Sequence, residues 1–216
     1  MMEPAISLAL VDDEPAFLFE MSQKLQALGF NTRSYREAAT LLADINRGQR
    51  FSCIAADVRM PGMTGLDLQR DLVRLALPVP LILFTGFSDI DIAVSAMKAG
   101  AADFLGKPID VDRLAGSIRN AIAEARRRDK ERAESAEVAA RVAELGDRHL
   151  QVLNLMVQGL TSKQIAAAMS INHRTIENYR AHVMEHIGVS NIAQLVRVMM
   201  RLEASQPGQV SPKKDG

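Results

Sequence analysis

Four short groups of residues in this chain could do chemistry together. Asp12-Asp13-Glu14 follows the apolar run Ile6–Val11, and Asp57 follows Cys53-Ile54-Ala55-Ala56. Thr85-Gly86 follows Pro80–Phe84, and Lys107-Pro108 follows Asp103–Gly106. Each preceding run is short and ends in turn formers, the pattern of a buried strand. In an open parallel sheet, ligands are handled at the carboxyl ends of the strands, beside the point where strand order reverses. If strands one and three are neighbours, Asp12, Asp13 and Asp57 converge there. Three crowded carboxylates repel one another and must be protonated or neutralised by a cation. Oxygen-only ligands favour a hard ion, and few carboxylates plus water suit Mg²⁺. Thr85 adds a hydroxyl donor and Lys107 a fixed positive charge. Such a set suits phosphoryl transfer onto a carboxylate, where positioning and charge neutralisation supply most of the catalysis.

The elements that must position these groups are legible from periodicity. Leu18, Met21, Leu25 and Leu28 form one face of a first helix that begins beside Pro15 and stops at Gly29. Asn31–Tyr35 reads as a second strand, and Arg36–Asn46 as a second helix with Leu41, Leu42 and Ile45 inward. A third helix takes Leu66–Leu75. A fourth is drawn through Ile90, Val94, Met97 and Ala101 and closed by Gly100. Five strands alternating with five helices predict an α/β fold with a doubly wound five-stranded parallel sheet.

Beyond Asp110 the helical pattern Leu114, Ile118, Ile122, Ala125 continues, and no Gly or Pro intervenes between Gly116 and Gly146. The charge-dense stretch 124–144 reads as an extended helical linker, either solvated or a weak coiled coil through Val138, Val142 and Leu145. From 145 the pattern is wholly helical. Leu150, Leu153, Val157 and Leu160 mark one helix. Thr161-Ser162-Lys163-Gln164 is a capping box for the next, and Asn172 caps a third with the stripe Ile176, Tyr179, Val183, Ile187. Ile192, Leu195, Val196, Met199 and Leu202 give a final amphipathic helix, and residues 206–216 read as a disordered tail.

Composition narrows the class. Apolar residues make up 48% of 216, enough for a sizeable core. Residues 1–125 hold 12 basic and 16 acidic side chains, a net of −4, whereas 146–205 hold 6 and 4, a net of +2, together with all four histidines. Only the back half is expected to meet a polyanion. A single cysteine, Cys53, excludes an internal disulfide framework and fits a reducing compartment; it reads as a small core residue. The first residues are acidic, without the basic flank of a signal peptide, and the apolar run Leu77–Phe84 is far shorter than the roughly 20 residues of a membrane helix. The expected location is cytoplasmic.

Val11-Asp12-Asp13-Glu14-Pro15, Asp57-Val58-Arg59-Met60-Pro61-Gly62-Met63-Thr64-Gly65, Thr85-Gly86 and Phe104-Leu105-Gly106-Lys107-Pro108 resemble the receiver domain of two-component response regulators. The likeness spans roughly residues 4–123. It implies a flavodoxin-like fold with Asp57 as phospho-acceptor from a histidine kinase. By that resemblance Asp12, Asp13, Asp57 and the Arg59 backbone carbonyl hold Mg²⁺, Lys107 pairs with Asp57, and Thr85 and Phe104 act as switch residues. The change would be felt on the fourth helix, fifth strand and fifth helix. Arg59 and Phe87 stand where the family tunes phosphoryl lifetime.

Residues 145–203 resemble the all-α, four-helix helix-turn-helix domain of LuxR-type regulators. The resemblance rests on Gln158–Ala166, Arg174–Arg180, Val183-Met184 and Ile187-Gly188-Val189. Carried over by position, Lys163, Arg174, Arg180 and His182 would touch phosphates. Thr175, Glu177, Asn178 and Ala181 complete the DNA-facing set; Asn can read adenine and Glu can accept from cytosine. Together the two parts are similar to NarL/FixJ-type response regulators, and the long linker is closer to the FixJ branch. The implied partners are promoter DNA, RNA polymerase and a second copy formed on phosphorylation, with Val196, Met199 and Met200 as the candidate dimer face.

Departures are local: His149 stands where the family carries a carboxylate and Tyr179 where it carries His, while Asp147 is expected to replace a missing Thr cap. The expected organisation is receiver 1–123, linker 124–144, DNA-binding domain 145–205 and tail 206–216. Two other classes compete with a switched transcription regulator. One is a protein-interaction output without DNA binding. The other is an aspartyl-phosphate phosphohydrolase, which would place its nucleophile after strand one and carry a cap insertion, neither of which is read here.

Overall fold

A computed structural model of the chain describes residues 6–86 and 90–205, without the side chains of Ile90 and Ser205. Phe87 and the tail 206–216 therefore lie outside the described residues. The chain divides into two compact units, Met1–Arg127 and Arg128–Gly216, with the boundary inside one helix.

The first unit alternates strand and helix. Its strands are β1 (Ile6–Val11), β2 (Phe30–Tyr35), β3 (Cys53–Asp57), β4 (Leu81–Thr85) and β5 (Asp103–Gly106). The helices between them are α1 (Pro15–Ala27), α2 (Ala38–Asn46), α3 (Gly65–Arg74) and α4 (Ile90–Lys98), and α5 (Val111–Ala143) follows. All pairings are parallel, in the order β2-β1-β3-β4-β5. The order reverses between β1 and β3, which puts the ends of those two strands at the crevice.

Period-2 alternation explains why both faces are covered. Ala9, Val11, Ile54, Ala56, Leu81 and Leu83 point to one face, where Leu41, Leu42 and Ile45 of α2, Leu68 and Leu72 of α3, and Ala96 of α4 cover them. Leu8, Leu10, Cys53, Ala55, Ile82 and Phe84 point to the other, against Leu18, Met21 and Leu25 of α1 and Leu114, Ile118 and Ile122 of α5. The fold is the expected doubly wound parallel sheet.

Two details differ from the sequence reading. Arg36 and Glu37 stay outside α2, because Glu37 is extended (φ −143°, ψ 134°). On α4, Val94 and Met97 are each 46% exposed, while Ala96 is buried and Ile92 partly so. Ala96 faces inward, and the buried Gln69 of α3 donates its Nε2 to the Ala96 backbone carbonyl at 2.9 Å.

The second unit is helical: α6 (Asp147–Val157), α7 (Ser162–Met169), α8 (His173–Ile187) and α9 (Ile192–Ser205). Val152, Leu153, Met156, Ile165, Ile176, Val183, Ile187 and Leu195 form its core. Leu145 is part of that core, and Val138 and Val142 from the end of α5 pack on it. Those three side chains are thus covered within their own unit, as core, not as the seam of a coiled coil. Nor does Asp147 cap α6. Gly146 is the N-cap, with no side-chain bond, and Asp147 is the first helical residue, where its charge favours the helix dipole. On α9, Met199 packs partly on the core, Val196 is half-buried, and Met200 is 62% exposed.

Candidate functional site

The ends of β1 and β3 bring the acidic residues together because Val11 lies opposite Ala56, so Asp12 comes level with Asp57. Asp12 and Asp57 are buried and Asp13 is exposed, and ligand oxygens of all three lie within 4.8 Å of one another. Lys107 reaches in from the end of β5, with its ammonium 2.6 Å from Asp12 Oδ2 and 2.7 Å from Asp57 Oδ2. The remaining oxygens accept backbone amides two residues on: Glu14 N–H donates to Asp12 Oδ1 (2.9 Å) and Arg59 N–H to Asp57 Oδ1 (3.1 Å). Both carboxylates are thereby fixed in orientation.

The balance of charge is uneven. Burial is the largest influence on Asp12 and holds its carboxyl above the usual carboxylate value, against the bonds from Lys107 and the Glu14 amide. Burial works against the Lys107 charge, yet the bonds and attraction of Asp12 and Asp57 outweigh it and hold the ammonium above the usual lysine value. Lys107 is shared by two of the three carboxylates, Asp12 and Asp57, and the donors are hard oxygens. That donor set fits a divalent metal ion.

Two supporting residues, Phe17 and Phe84, lay beyond the sequence reading. Lys107 Nζ sits 4.5 Å from the Phe17 ring centroid and 5.4 Å from that of Phe84, so its charge is walled by two aromatic faces. Nothing in the local pattern around Phe17 or Phe84 signals this, since the contacts span the whole sheet. Gly65, by contrast, carried a signal as a glycine opening a helix. A Cβ there would lie 2.4 Å from the Asp57 carbonyl oxygen and 2.9 Å from Leu83 Cδ2, so α3 can start against β3 only without a side chain. Thr64 caps that helix with Asp67 in a reciprocal box, a T-x-x-D pattern that is readable in the sequence.

Thr85 is buried at the end of β4, whose register places Thr85 opposite Gly106 and Asp57 opposite Phe84. Phe104 lies opposite Leu83 and is half-buried against the α2–α4 side of the sheet. Arg59 is exposed.

The second unit presents the other set. Asn172 Oδ1 accepts the Thr175 amide at 2.8 Å and its hydroxyl at 2.9 Å, so Thr175 is engaged in the cap of α8. Beyond it, Arg174, Glu177, Asn178, Ala181 and His182 are exposed at helical spacing, opposite the stripe Ile176, Val183, Ile187. Lys163 is exposed near the start of α7. Arg180 is half-buried and donates from NH1 to the Leu160 carbonyl at 3.3 Å, so part of its guanidinium is used to tie α8 to the turn before α7. That turn holds the α7 capping box, with Thr161 and Gln164 bonded in both directions. The first unit thus carries an acidic edge with a bound lysine, and the second an exposed polar face on α8.

Residues 8–119 match the family described as response regulator receiver domain, and residues 143–199 match the bacterial regulatory proteins of the luxR family. The chain is a response regulator of the NarL/FixJ type. It is 39% identical over 192 residues to the transcriptional regulatory protein FixJ of Bradyrhizobium diazoefficiens, covering 89% of this chain and 93% of that protein. It is 36% identical over 205 residues to the response regulator protein TodT of Pseudomonas putida, covering 95% and 90%. Among solved structures, the response regulator StyR aligns with a TM-score of 0.70 at 30% identity, over 92% of this chain and all of that one. Full-length FixJ from B. japonicum aligns with a TM-score of 0.58 at 37% identity, over 94% and 99%.

This NarL/FixJ-type regulator is therefore a DNA-binding transcription regulator of a two-component system and not an enzyme in the ordinary sense. Its receiver implies a histidine kinase as partner, and its LuxR-type domain implies DNA. Among the described residues, no helix is long and apolar enough to cross a membrane.

Proposed function

We propose that Asp57 is the phospho-acceptor of this regulator and that its phosphorylation controls promoter binding by α8. The observation that carries the reading is the placement of Asp57 at the end of β3, with Lys107 2.7 Å from one oxygen and Asp12 and Asp13 beside it. An Asp57 oxygen attacks the phosphorus of a kinase phosphohistidine; the P–O bond forms as the P–N bond breaks. Asp12, Asp13, Asp57 and the Arg59 carbonyl would hold Mg²⁺, which when bound offsets charge on the transferring oxygens. Lys107 then leaves Asp57 for the phosphoryl group. Thr85 donates to the same group and Phe104 changes rotamer, shifting a pre-existing equilibrium toward a dimerising form. The receiver is taken as 1–123, the linker as 124–144 and the DNA-binding domain as 145–205, in a cytoplasmic protein.

In the DNA-binding domain, Lys163, Arg174 and His182 contact phosphates. Arg180 adds one with the part of its guanidinium not bound to Leu160. Thr175, Glu177, Asn178 and Ala181 face the major groove. Val196 and Met200 offer the more accessible part of the candidate dimer face, since Met199 is partly used by the core. RNA polymerase is the expected downstream partner. Self-phosphorylation from small phosphodonors and slow self-dephosphorylation are the only catalysis expected.

The test is intact-protein mass spectrometry after acetyl phosphate and Mg²⁺. Wild-type protein should gain one phosphoryl group and Asp57→Asn none; equal labelling of both would reject Asp57 as acceptor.

A further inference from the structure

We infer that Arg141, near the end of α5, is a positioning residue for DNA recognition: it grips the C-terminal end of α8 and so fixes the angle at which that helix presents its exposed face. The inference rests on the reading of α8 as the DNA-reading helix.

Helices leave their last four carbonyls without intrahelical partners, and α5 and α8 solve this for each other. Arg141 NH1 donates to the carbonyl of Ile187, the last residue of α8, at 3.0 Å. A guanidinium at that position also meets the negative end of the helix dipole. In return, the His186 Nε2 lies 3.0 Å from the carbonyl oxygen of Arg141, itself among the last four of α5. Glu137, one turn earlier, bonds Arg141 NH2 at 2.6 Å and aims the guanidinium from within its own helix. Glu144 Oε2 stands 3.5 Å from the same His186 nitrogen.

Gly188 supplies a separate observation. It ends α8 with φ +82°, and a Cβ there would sit 2.6 Å from Arg141 NH1. The guanidinium thus lies directly against Gly188, whose positive φ favours glycine, and a side chain there would have to push the arginine aside. Beneath it, Val138 and Val142 pack on the helical core, so the grip is anchored and does not hang from a loose arm.

The consequence for recognition is geometric. A helix of 15 residues is about 22 Å long, so a tilt of about 5° at one end moves the other by about 2 Å. Hydrogen bonds to base edges do not survive such a shift, whereas attraction to the phosphate backbone tolerates it. Loss of Arg141 should therefore cost sequence discrimination more than overall DNA affinity.

The experiment uses the full chain treated with acetyl phosphate and Mg²⁺. Its two probes are a duplex selected from a random library by the wild-type protein and an unselected duplex of equal length and composition. Arg141→Ala should lower affinity for the selected duplex about tenfold, the worth of one bidentate base contact, and leave the unselected duplex within about threefold. Arg141→Lys keeps a donor for the Ile187 carbonyl and should recover most of the discrimination. An Arg141→Ala protein with the wild-type ratio between duplexes would overturn the inference. So would equal loss on both with a fall in helical circular dichroism, which would mark a purely structural role. The underlying reading fails separately if Asn178→Ala and Glu177→Ala leave the ratio untouched; if they lower it and Arg141→Ala does not, only the Arg141 inference fails.

Discussion

The imidazole of His149 on α6 meets the phenol ring of Tyr179 on α8 edge-on, with centroids 4.9 Å apart. These are two of the positions at which the chain departs from the pattern of the family it resembles, and they are each other's partner. This edge-to-face ring pair ties α6 to α8 and is worth about 0.5–1.5 kcal/mol. The His182 ring lies 4.5 Å from that of His149, and the His186 ring 5.8 Å from that of His182. His149, where the resemblance implies a carboxylate, thus stands in a row of imidazoles.

That row makes the helical domain acid-sensitive. Burial, then repulsion from His182 and His186, holds the His149 pKa below its ordinary value of 6.5. The unfolded chain then binds more protons than the folded one just below pH 6.5, so stability falls as pH drops through that value and is full above it. His149→Phe keeps a ring against Tyr179 and removes the titrating group. Urea denaturation from pH 7.5 to about 5 should show a shallower loss for His149→Phe than for wild type.

At the acidic edge, Lys107 is the one cation shared by Asp12 and Asp57. Lys107→Met leaves two buried carboxylates facing each other and should destabilise the receiver by about 3 kcal/mol, the lower end for breaking a buried ion pair. Added Mg²⁺ should restore part of that loss if the carboxylates hold a cation. Denaturant midpoints with and without Mg²⁺ check both statements.

Gly65→Ala tests how closely α3 must approach the acceptor strand. The added methyl would meet the Asp57 carbonyl oxygen at 2.4 Å and Leu83 Cδ2 at 2.9 Å, and the Asp57 backbone leaves little room to relax. A destabilisation of about 1–3 kcal/mol is expected, with slower labelling by acetyl phosphate, since Asp57 is displaced with its strand.

Much of this was legible in the chain. Strand ends carried Asp57, Thr85 and Lys107 at the expected places because a buried parallel strand needs an unbroken apolar run and a sharp stop. The caps at Thr161 and Asn172 were readable because capping is a local bond between residues three apart. What escaped was non-local. Ala96 faces inward in place of Val94 and is bonded through its carbonyl to Gln69, 27 residues away, and Phe17 and Phe84 wall Lys107 from other elements. Asp147 had the chemistry of a cap but lies one residue too late, inside the helix. Val138 and Val142 showed a helical stripe, and no stripe states what will cover it.

Cys53 should be chemically silent. Burial pushes its thiol up to about 12, and the side chain is fully enclosed between β1 and the helices of its face. A thiol reagent at pH 8 should leave the folded protein unmodified and label it fully in denaturant.

On the proposed function, the phosphoryl group on Asp57 controls DNA binding. This control is tested most directly by mapping genomic fragments bound by the wild-type protein and by Asp57→Asn, each with and without acetyl phosphate and Mg²⁺. The account predicts that the phosphodonor raises site occupancy at least tenfold, about 1.4 kcal/mol, for wild type and leaves Asp57→Asn unchanged. Equal, phosphodonor-independent occupancy by both proteins would contradict it.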